Sequence, residues 1–392
     1  MRIALITIAD SPAGDGAGGA LVAGRPVALR QLEFALALGC GKVICLGHGA
    51  APEAIALRHA AERGGAQFQV VRGVRDLPAA VRGDDALLVL AHGLLPESRS
   101  AFELLKEGQG VLVLPADAGW SAGFERLDLT SAWGGAMVMP GRLVDRLDQL
   151  PEDAEPVAGL LRIARQAGVP ERPLPESELS ERRWQIVRTA EAAAALEPAW
   201  LRRRLPAVSP FRPTAWLARA VLRRTGSTLA GSRRAAAGLA AGAVLAVLGG
   251  LAAGWFGMPS LAFAALAAAA LLTEAGEALD LLGRSIFQAQ TRPSRRFFIM
   301  LAIFDAALVA IGFLAIDGSR AHRVFAPLAA VGLLRIMPPW PERGWRALAA
   351  DRGLVALLLA LASGFGLAEG GFMAIALAMI LLRALPTGEK RG

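Results

Sequence analysis

The chain has 392 residues, of which 54% are hydrophobic and 19% are charged, and its mean hydropathy is +0.44. Soluble domains average about 45–50% apolar and about 25% charged residues, so this composition argues against a purely soluble enzyme. The formal net charge of +8 is unevenly divided. Residues 1–200 hold 20 basic and 25 acidic residues (net −5), whereas residues 201–392 hold 22 and 9 (net +13).

The basic second half and the two cysteines bear on partners and compartment. The positive charge lies beside long uncharged runs and no nucleic-acid-binding motif accompanies it, so the membrane surface is the expected partner and nucleic acid is not. Cys40 and Cys45, four residues apart without a nearby His, offer too few ligands for a zinc site. We expect buried strand thiols in a reducing, cytoplasmic compartment.

The first half of the chain alternates short apolar runs with helical patterns. The stretches 26–38 and 52–63 have helical spacing and separate apolar runs that read as strands. This alternation predicts a mostly parallel sheet covered by helices, an α/β, Rossmann-like domain over about residues 1–180. The predicted strands are 3–9, 43–47, 68–71, 86–91 and 111–115.

A glycine-dense loop, residues 10–19, follows the first predicted strand. In parallel sheets the ligand crevice lies at the carboxyl ends of the strands, and backbone N–H groups of such a loop can cradle phosphates. A flexible surface loop is the alternative. The candidate cofactor-binding residues are Gly14, Gly16, Gly18, Gly19 and, at the following turn, Arg25.

The glycine-rich loop, the turn Gly24-Arg25-Pro26, the next helix and the stretch 133–141 (WGGAMVMPG) together resemble nucleotidyltransferases of the sugar-phosphate and inositol-phosphate type. This resemblance implies a nucleoside triphosphate site after the first strand and an Asp that holds Mg²⁺ at a central strand end. Here that strand ends at His92, a poor ligand for Mg²⁺. His92 is a candidate general acid or base, or else an ordinary loop residue, and Asp117 is the stand-in carboxylate.

Residues 181–234 form an arginine-rich segment with interspersed aromatic residues. This composition predicts amphipathic juxtamembrane helices on an anionic leaflet, the alternative being a solvated basic linker. The nine arginines between 202 and 234 are Arg202, Arg203, Arg204, Arg212, Arg219, Arg223, Arg224, Arg233 and Arg234.

Six apolar segments follow within residues 235–392 and predict an all-α, six-helix transmembrane bundle. About 20 residues at 1.5 Å each span the hydrocarbon core of a bilayer. Arginines concentrate in alternate loops, so the positive-inside rule predicts a multi-pass protein of a bacterial-type inner membrane with both termini in the cytoplasm. The segments are 235–256, 258–280, 297–316, 324–337, 353–368 and 370–386, the fourth being short.

The combined layout resembles fusions of an inositol-phosphate cytidylyltransferase with a CDP-alcohol phosphatidyltransferase. The residues that carry this are the juxtamembrane stretch 218–226 (ARAVLRRTG) and the stretch 273–284, where Glu274 and Glu277 match the spacing of the first two aspartates of the motif D-x2-D-G-x2-A-R-x8-G-x3-D-x3-D. The resemblance implies four carboxylates that hold divalent metals on the CDP diphosphate. The last two aspartates would fall at Arg295 and Ile299, so the four-carboxylate site is not built here as in the family.

The remaining acids of the second half give the candidate metal ligands. Glu274, Glu277 and Asp280 are spaced to share one flank of a helix, and Asp305 lies well inside an apolar segment. Intramembrane carboxylates are costly and commonly functional, although Asp305 paired with a bundle-facing arginine is the structural alternative. We name Glu274, Glu277, Asp305 and Asp117 as candidate metal ligands, with His92 and Asp305 as weak catalytic candidates.

Three functions are consistent with these residues. The first is a diverged, catalytically silent member of the fusion family in phospholipid or glycolipid head-group synthesis, without a metal cofactor. The second is an active nucleotidyl or phosphatidyl transferase that uses Mg²⁺ or Mn²⁺ through altered ligands. The third is a transporter or lipid-binding protein with a regulatory cytoplasmic domain. The expected partners are anionic lipids, CTP or a CDP-alcohol, and a second copy of the chain in a homodimer.

Overall fold

The computed structural model describes residues 1–8, 20–151, 154–229, 233–287, 294–336 and 347–384. The chain divides into two compact units. A short segment, Arg284–Gln290, interrupts the second unit in sequence but belongs to the first, and we call it the exchanged segment. The first unit comprises Met1–Trp200 and Arg284–Gln290, and the second comprises Leu201–Gly283 and Thr291–Gly392.

The first unit is an α/β domain. Its strands in the described residues are β1 Arg2–Thr7, β2 Leu21–Val22, β3 Arg25–Pro26, β4 Lys42–Leu46, β5 Gln67–Val71, β6 Ala86–Leu90, β7 Leu94–Pro96, β8 Gly110–Pro115, β9 Ser131–Pro140, β10 Glu171–Pro173 and β11 Trp184–Ile186. Its helices are α1 Val27–Ala37, α2 Pro52–Arg63, α3 Leu77–Ala80, α4 Arg99–Lys106, α5 Ala116–Ser121, α6 Pro156–Gln166, α7 Ser177–Ser180 and α8 Ala190–Arg204, the last four residues of α8 being counted with the second unit.

Seven of these strands form one mixed sheet in the order β10-β8-β9-β6-β1-β4-β5. All neighbouring strands are parallel except at β9, which is antiparallel to both β6 and β8. The predicted α/β class is therefore confirmed. The sequence did not predict β9 as a strand, because Gly134 and Gly135 interrupt its apolar run.

The strand order places a switch point between β1 and β6. From β1 the chain steps outward to β4 and β5, and then returns to the other side of β1 as β6. In such sheets the crevice outside the carboxyl ends of the two diverging strands is the usual ligand site. Residues 9–19, which follow β1 and contain the predicted phosphate loop, lie outside the described residues, whereas His92 follows β6 directly.

The core of the first unit extends beyond the predicted boundary at residue 180. Trp184 and Trp200 are fully buried, and their indole N–H groups donate to the Gly134 carbonyl and the Glu97 carboxylate, both at 2.6 Å. The two buried tryptophans place residues 184–200 in the first unit. Phe287, in the exchanged segment, packs against Phe34, with 5.0 Å between the two ring centroids.

The second unit is helical throughout its described part. The six predicted apolar segments fall in six of its helices, and three of these, at Arg234–Trp255, Pro259–Gly283 and Arg295–Ala315, are long and apolar enough to cross a membrane. Two shorter apolar helices lie at Arg352–Gly364 and Ala368–Leu382. The helices are α9 Pro213–Leu229, α10 Arg233–Trp255, α11 Pro259–Gly283, α12 Arg295–Ala315, α13 Arg320–Ile336, α14 Ala347–Ala350, α15 Arg352–Gly364 and α16 Ala368–Ala384.

The helix α13, the short fourth predicted segment, differs in composition from the three long apolar helices. It has 17 residues, begins at Arg320, contains Pro327 and carries Arg335 in its last turn. It packs closely at Gly312 of α12, where an added Cβ would lie 2.5 Å from a ring carbon of Pro327 and 2.9 Å from the ring of Phe372. Small residues therefore permit close helix contacts in this unit, as the density of Ala and Gly predicts.

Candidate functional site

The predicted nucleotide-site residues of the first unit fall into two groups. Gly14, Gly16, Gly18 and Gly19 lie outside the described residues. Arg25, on β3, directs its guanidinium to the carboxylate of Glu33 on α1, with 2.6 Å between NH2 and Oε1. Its charge is thus offset by a protein carboxylate, which weakens the argument for Arg25 as a phosphate ligand.

His92 lies half-buried in the turn after β6. The Gln31 side-chain amide on α1 holds this turn by donating to the carbonyls of Ala91 and Leu94, both at 2.8 Å. Gly93 has a φ of +75°, and a Cβ there would lie 2.8 Å from Arg188, so only glycine fits the position. The turn therefore fixes the backbone of His92 at the switch-point edge of the sheet. These contacts involve the backbone of the turn and do not assign a catalytic role to the imidazole.

Asp117 lies in the first turn of α5, directly after β8, and its side chain is 97% exposed. Arg126 approaches its carboxylate to 3.5 Å. Asp117 belongs to the first unit, whereas Glu274, Glu277 and Asp305 belong to the second. An exposed, singly paired carboxylate has the properties of a surface residue rather than those of a metal ligand.

Two adjoining cavities in the second unit contain most of its acidic candidates. The larger, about 120 Å³, we call the arginine cavity; its polar lining is Arg212, Thr214, Thr273, Glu274, Asp351 and Arg352. The smaller, about 50 Å³, we call the serine cavity; its polar lining is Thr273, Glu277, Asp280, Ser294 and Arg296. Thr273, Phe297 and Met300 line both, so Glu274, Glu277 and Asp280 on α11 all face this pair of cavities.

Asp351 joins the starts of two helices at the arginine cavity. Its Oδ1 accepts the backbone N–H of Leu354 at 3.0 Å and so caps α15, while its Oδ2 accepts the backbone N–H of Thr214 near the start of α9 at 2.9 Å. The Thr214 hydroxyl also donates to Asp351. The Thr214 side chain packs directly on Gly353, where an added Cβ would clash with the Thr214 hydroxyl. A carboxylate between two helix N-termini is electrostatically favourable.

Glu274 and Glu277 have separate partners. Glu274 lies 3.6 Å from the guanidinium of Arg212. Glu277 accepts the hydroxyl of Ser294 at 2.7 Å and its backbone N–H at 3.2 Å. The Ser294 hydroxyl in turn accepts the N–H of Phe297 at 3.1 Å, so Glu277 anchors the N-cap of α12.

Asp305, on α12, is buried between two arginines. Its Oδ1 accepts from Nε of Arg352 at 2.8 Å, and its Oδ2 accepts from Nε of Arg335 at 2.8 Å and NH2 of Arg352 at 3.2 Å. The Asp305 side chain is 3% exposed, that of Arg352 18% and that of Arg335 54%. Of the two interpretations of Asp305, this geometry favours pairing with arginine.

These carboxylates do not fit a Mg²⁺ or Mn²⁺ site as they are arranged. A hard divalent cation needs several oxygen ligands that converge on one point. In the part of the chain that the structure describes, no group of three or more His, Cys, Asp or Glu side chains could hold a metal ion. Glu274, Glu277 and Asp305 instead bind an arginine, a helix N-cap and two arginines, respectively. Their role as metal ligands, like that of Asp117, stays a prediction.

Sequence reasoning identified Glu274 and Glu277 but not the residues that complete the site. In the sequence, Arg212 and Arg352 are recognisable only as positive charges near apolar segments. Asp351, directly ahead of an apolar run, is a helix N-cap signal that indicates the start of a helix. Thr214 and Arg335 gave no sequence signal, because their importance depends on which helices meet.

Comparisons with known proteins give little further information. No family model matches the chain, and no curated protein matches it. Among solved structures, the chain is similar to a Bacillus anthracis protein assigned as a glucose-1-phosphate thymidylyltransferase and crystallised with sucrose. The two share 12% identity over 44% of this chain and 86% of that one, with a TM-score of 0.36. A similarity of this size says nothing about catalysis.

Proposed function

We propose that the chain is a multi-pass membrane protein whose helical unit binds a phosphate-bearing polar head group without transferring it. It would be a diverged, catalytically silent relative of the fusions between a nucleotidyltransferase and a CDP-alcohol phosphatidyltransferase. The observation that carries this proposal is the engagement of the carboxylates. Asp305 is held by two arginines, and Glu277 and Asp351 each hold the start of a helix.

The proposed absence of transfer activity follows from the arginines that a metal ion at Asp305 would have to displace. Metal-assisted transfer needs divalent cations that bridge the phosphates and take up the developing negative charge. A cation at Asp305 would have to displace guanidinium nitrogens 2.8 Å from each oxygen. The two guanidinium groups already neutralise Asp305 and occupy both of its oxygens, so they compete with a metal for this carboxylate.

Binding of a phosphate group is supported by the positive character of the arginine cavity. Arg212, Arg352 and the Thr214 hydroxyl line it, and the N-termini of α9 and α15 lie at its edge. Helix N-termini carry a partial positive charge, and guanidinium groups pair with phosphate oxygens. The lining also has an apolar part on α12, with Phe297, Met300, Leu301 and Phe304, as a ligand with a polar head and a lipid portion requires.

The membrane assignment rests on the apolar helices and on α9. Three helices have the length and composition to cross a bilayer. On α9, Ala215, Ala218 and Leu222 are buried, whereas Trp216, Leu217 and Val221 are 45–51% exposed. An exposed stripe of this kind beside arginines favours a helix in the surface of an anionic leaflet. The inner-membrane topology, the cytoplasmic α/β unit and a homodimer are parts of the same proposal.

The decisive experiment is an assay of both transfer reactions with the full-length protein in detergent or nanodiscs. With CDP-activated alcohols, lipid acceptors and Mg²⁺ or Mn²⁺, we expect no CMP release, and with CTP and polyol phosphates no pyrophosphate release. An active phosphatidyltransferase in the same nanodiscs is the positive control. CMP release that Glu274→Gln abolishes would overturn the silent assignment and favour an active transferase with altered ligands.

A further inference from the structure

We infer that the triad of Asp305, Arg335 and Arg352 supplies the positive charge for the bound phosphate group that a divalent cation supplies in metal-dependent enzymes. The inference rests on the proposed binding of a phosphate-bearing group in the arginine cavity, and adds that this binding is independent of metal. It arises from the misfit between the carboxylates and a metal site.

The triad carries a net charge of about +1, because two guanidinium groups share one carboxylate. Arg352 binds Asp305 through two nitrogens, at 2.8 and 3.2 Å, and Arg335 binds through one, at 2.8 Å. Asp305 alone would neutralise one arginine, and Arg335 adds the excess charge.

The other charges around the arginine cavity roughly cancel. Arg212 and Glu274 form one pair of opposite charges at 3.6 Å. The negative charge of Asp351 lies between the starts of α9 and α15, each of which contributes about half a positive charge. The triad is therefore the source of the remaining positive charge.

The geometry directs this charge toward the cavity. Arg352 lines the arginine cavity, whereas Asp305, which is 3% exposed, is not among its lining residues. Arg352 thus connects the buried carboxylate with the lining of the cavity. Guanidinium is weakly hydrated and suits phosphate oxygens, so a fixed arginine can take the place of a bound cation.

The test measures phosphate binding by the full-length protein in detergent, by thermal shift and by calorimetry. Inorganic phosphate is the first probe, and a short-chain phosphatidylglycerol is the second, which separates a free anion from a lipid head group as the source. We expect the same dissociation constant in EDTA and in Mg²⁺. Binding of both probes only in the presence of Mg²⁺, or of neither probe in any condition, would overturn the inference.

Two arginines of α13 make a matched pair of variants. Arg335→Gln leaves a one-to-one pair between Arg352 and Asp305, and should weaken phosphate binding about tenfold. Arg320→Gln removes the same charge from the exposed start of the helix and should leave the dissociation constant unchanged. Arg335→Lys keeps the charge and should restore most of the affinity. Equal affinities of Arg335→Gln and Arg320→Gln would contradict the assigned role.

The outcomes separate this inference from the proposed function. CMP release with a CDP-alcohol contradicts the silent assignment, whatever the metal dependence of phosphate binding. Phosphate binding that requires Mg²⁺, with no CMP release, contradicts the role of the triad and leaves the proposed function in place. If Arg335→Gln fails to fold, Arg335→Lys and the comparison of EDTA with Mg²⁺ in the unaltered protein still decide the question.

Discussion

Removing the buried carboxylate of Asp351 should destabilise the helical unit, because this side chain holds the starts of two helices. Asp351→Ala deletes the cap of α15 and the two bonds to Thr214 that hold the start of α9. Loss of an N-cap costs about 0.5–2 kcal/mol. Hydrogen bonds to a charged group contribute about 1.5–3 kcal/mol each, although bonds to one carboxylate do not add fully. We expect a total loss of about 3 kcal/mol.

The measurement is the thermal midpoint of the full-length protein in detergent, followed by tryptophan fluorescence. A loss of about 3 kcal/mol corresponds to a decrease of about 6–12 °C for a cooperative unit of this size. Asp351→Asn keeps an acceptor oxygen and should lose about half as much. Asp317→Ala, at an exposed acid in the loop before α13, is the control and should change the free energy by less than about 0.5 kcal/mol.

Hydrogen exchange locates the effect within the unit. In Asp351→Ala, amides of the first turns of α9 and α15 should exchange faster, while those of α16 should change little. If the thermal midpoint falls no further than in Asp317→Ala, or if the first turn of α9 stays protected, Asp351 does not join the two helices and the reasoning is refuted.

Two further predictions concern packing and titration. Gly312→Ala should lower the thermal midpoint, because its Cβ would lie 2.5 Å from Pro327. The control Gly332→Ala should leave the midpoint unchanged, because nothing lies within 4 Å of the added Cβ. Equal midpoints of the two variants would contradict the close contact of α12 and α13. Burial raises the pKa of the Cys40 and Cys45 thiols to about 12 from 9.0, so Ellman's reagent should react slowly with the native protein at pH 8 and rapidly after denaturation. Between pH 9 and 12 the unfolded chain loses these protons before the folded one, so the thiols' contribution to stability should fall as pH rises. A Cys40→Ala/Cys45→Ala variant should lose that part of the pH dependence. Fast labelling of the native protein would refute the burial of the thiols.

The elements that the sequence predicted well are those with a clear local pattern of apolar residues, either an uninterrupted apolar run or helical spacing. The strands β1, β4, β5, β6 and β8 and the helices α1 and α2 agree with the predicted bounds to within about two residues. The strand β9 was not predicted because Gly134 and Gly135 interrupt its apolar run. It carries a bulge near Gly135, which has a φ of +76°. Its insertion between β6 and β8 depends on long-range pairing that no local pattern records.

The acidic residues of the second unit likewise show which features local spacing predicts and which depend on long-range contacts. The spacing of Glu274, Glu277 and Asp280 predicted a shared flank, and all three line the pair of cavities. Their partners, however, come from distant parts of the chain: Arg212 from the start of α9 and Ser294 from the cap of α12. The pairing of Asp305 with Arg335 and Arg352 joins three helices. The sequence alone could therefore not distinguish a metal site at Asp305 from an ion pair.

The sequence by itself determined the two-part composition of this protein, the α/β class of its first half and the apolar helices of its second. These properties follow from local hydrophobic periodicity and from charge, which act over a few residues. Only the tertiary structure decided that Phe287 packs in the first unit, that Asp351 holds two helix starts, and that the carboxylates face arginines and helix caps rather than one another. The physical reason is that electrostatic pairing and close packing depend on distances of a few ångströms between residues far apart in the chain.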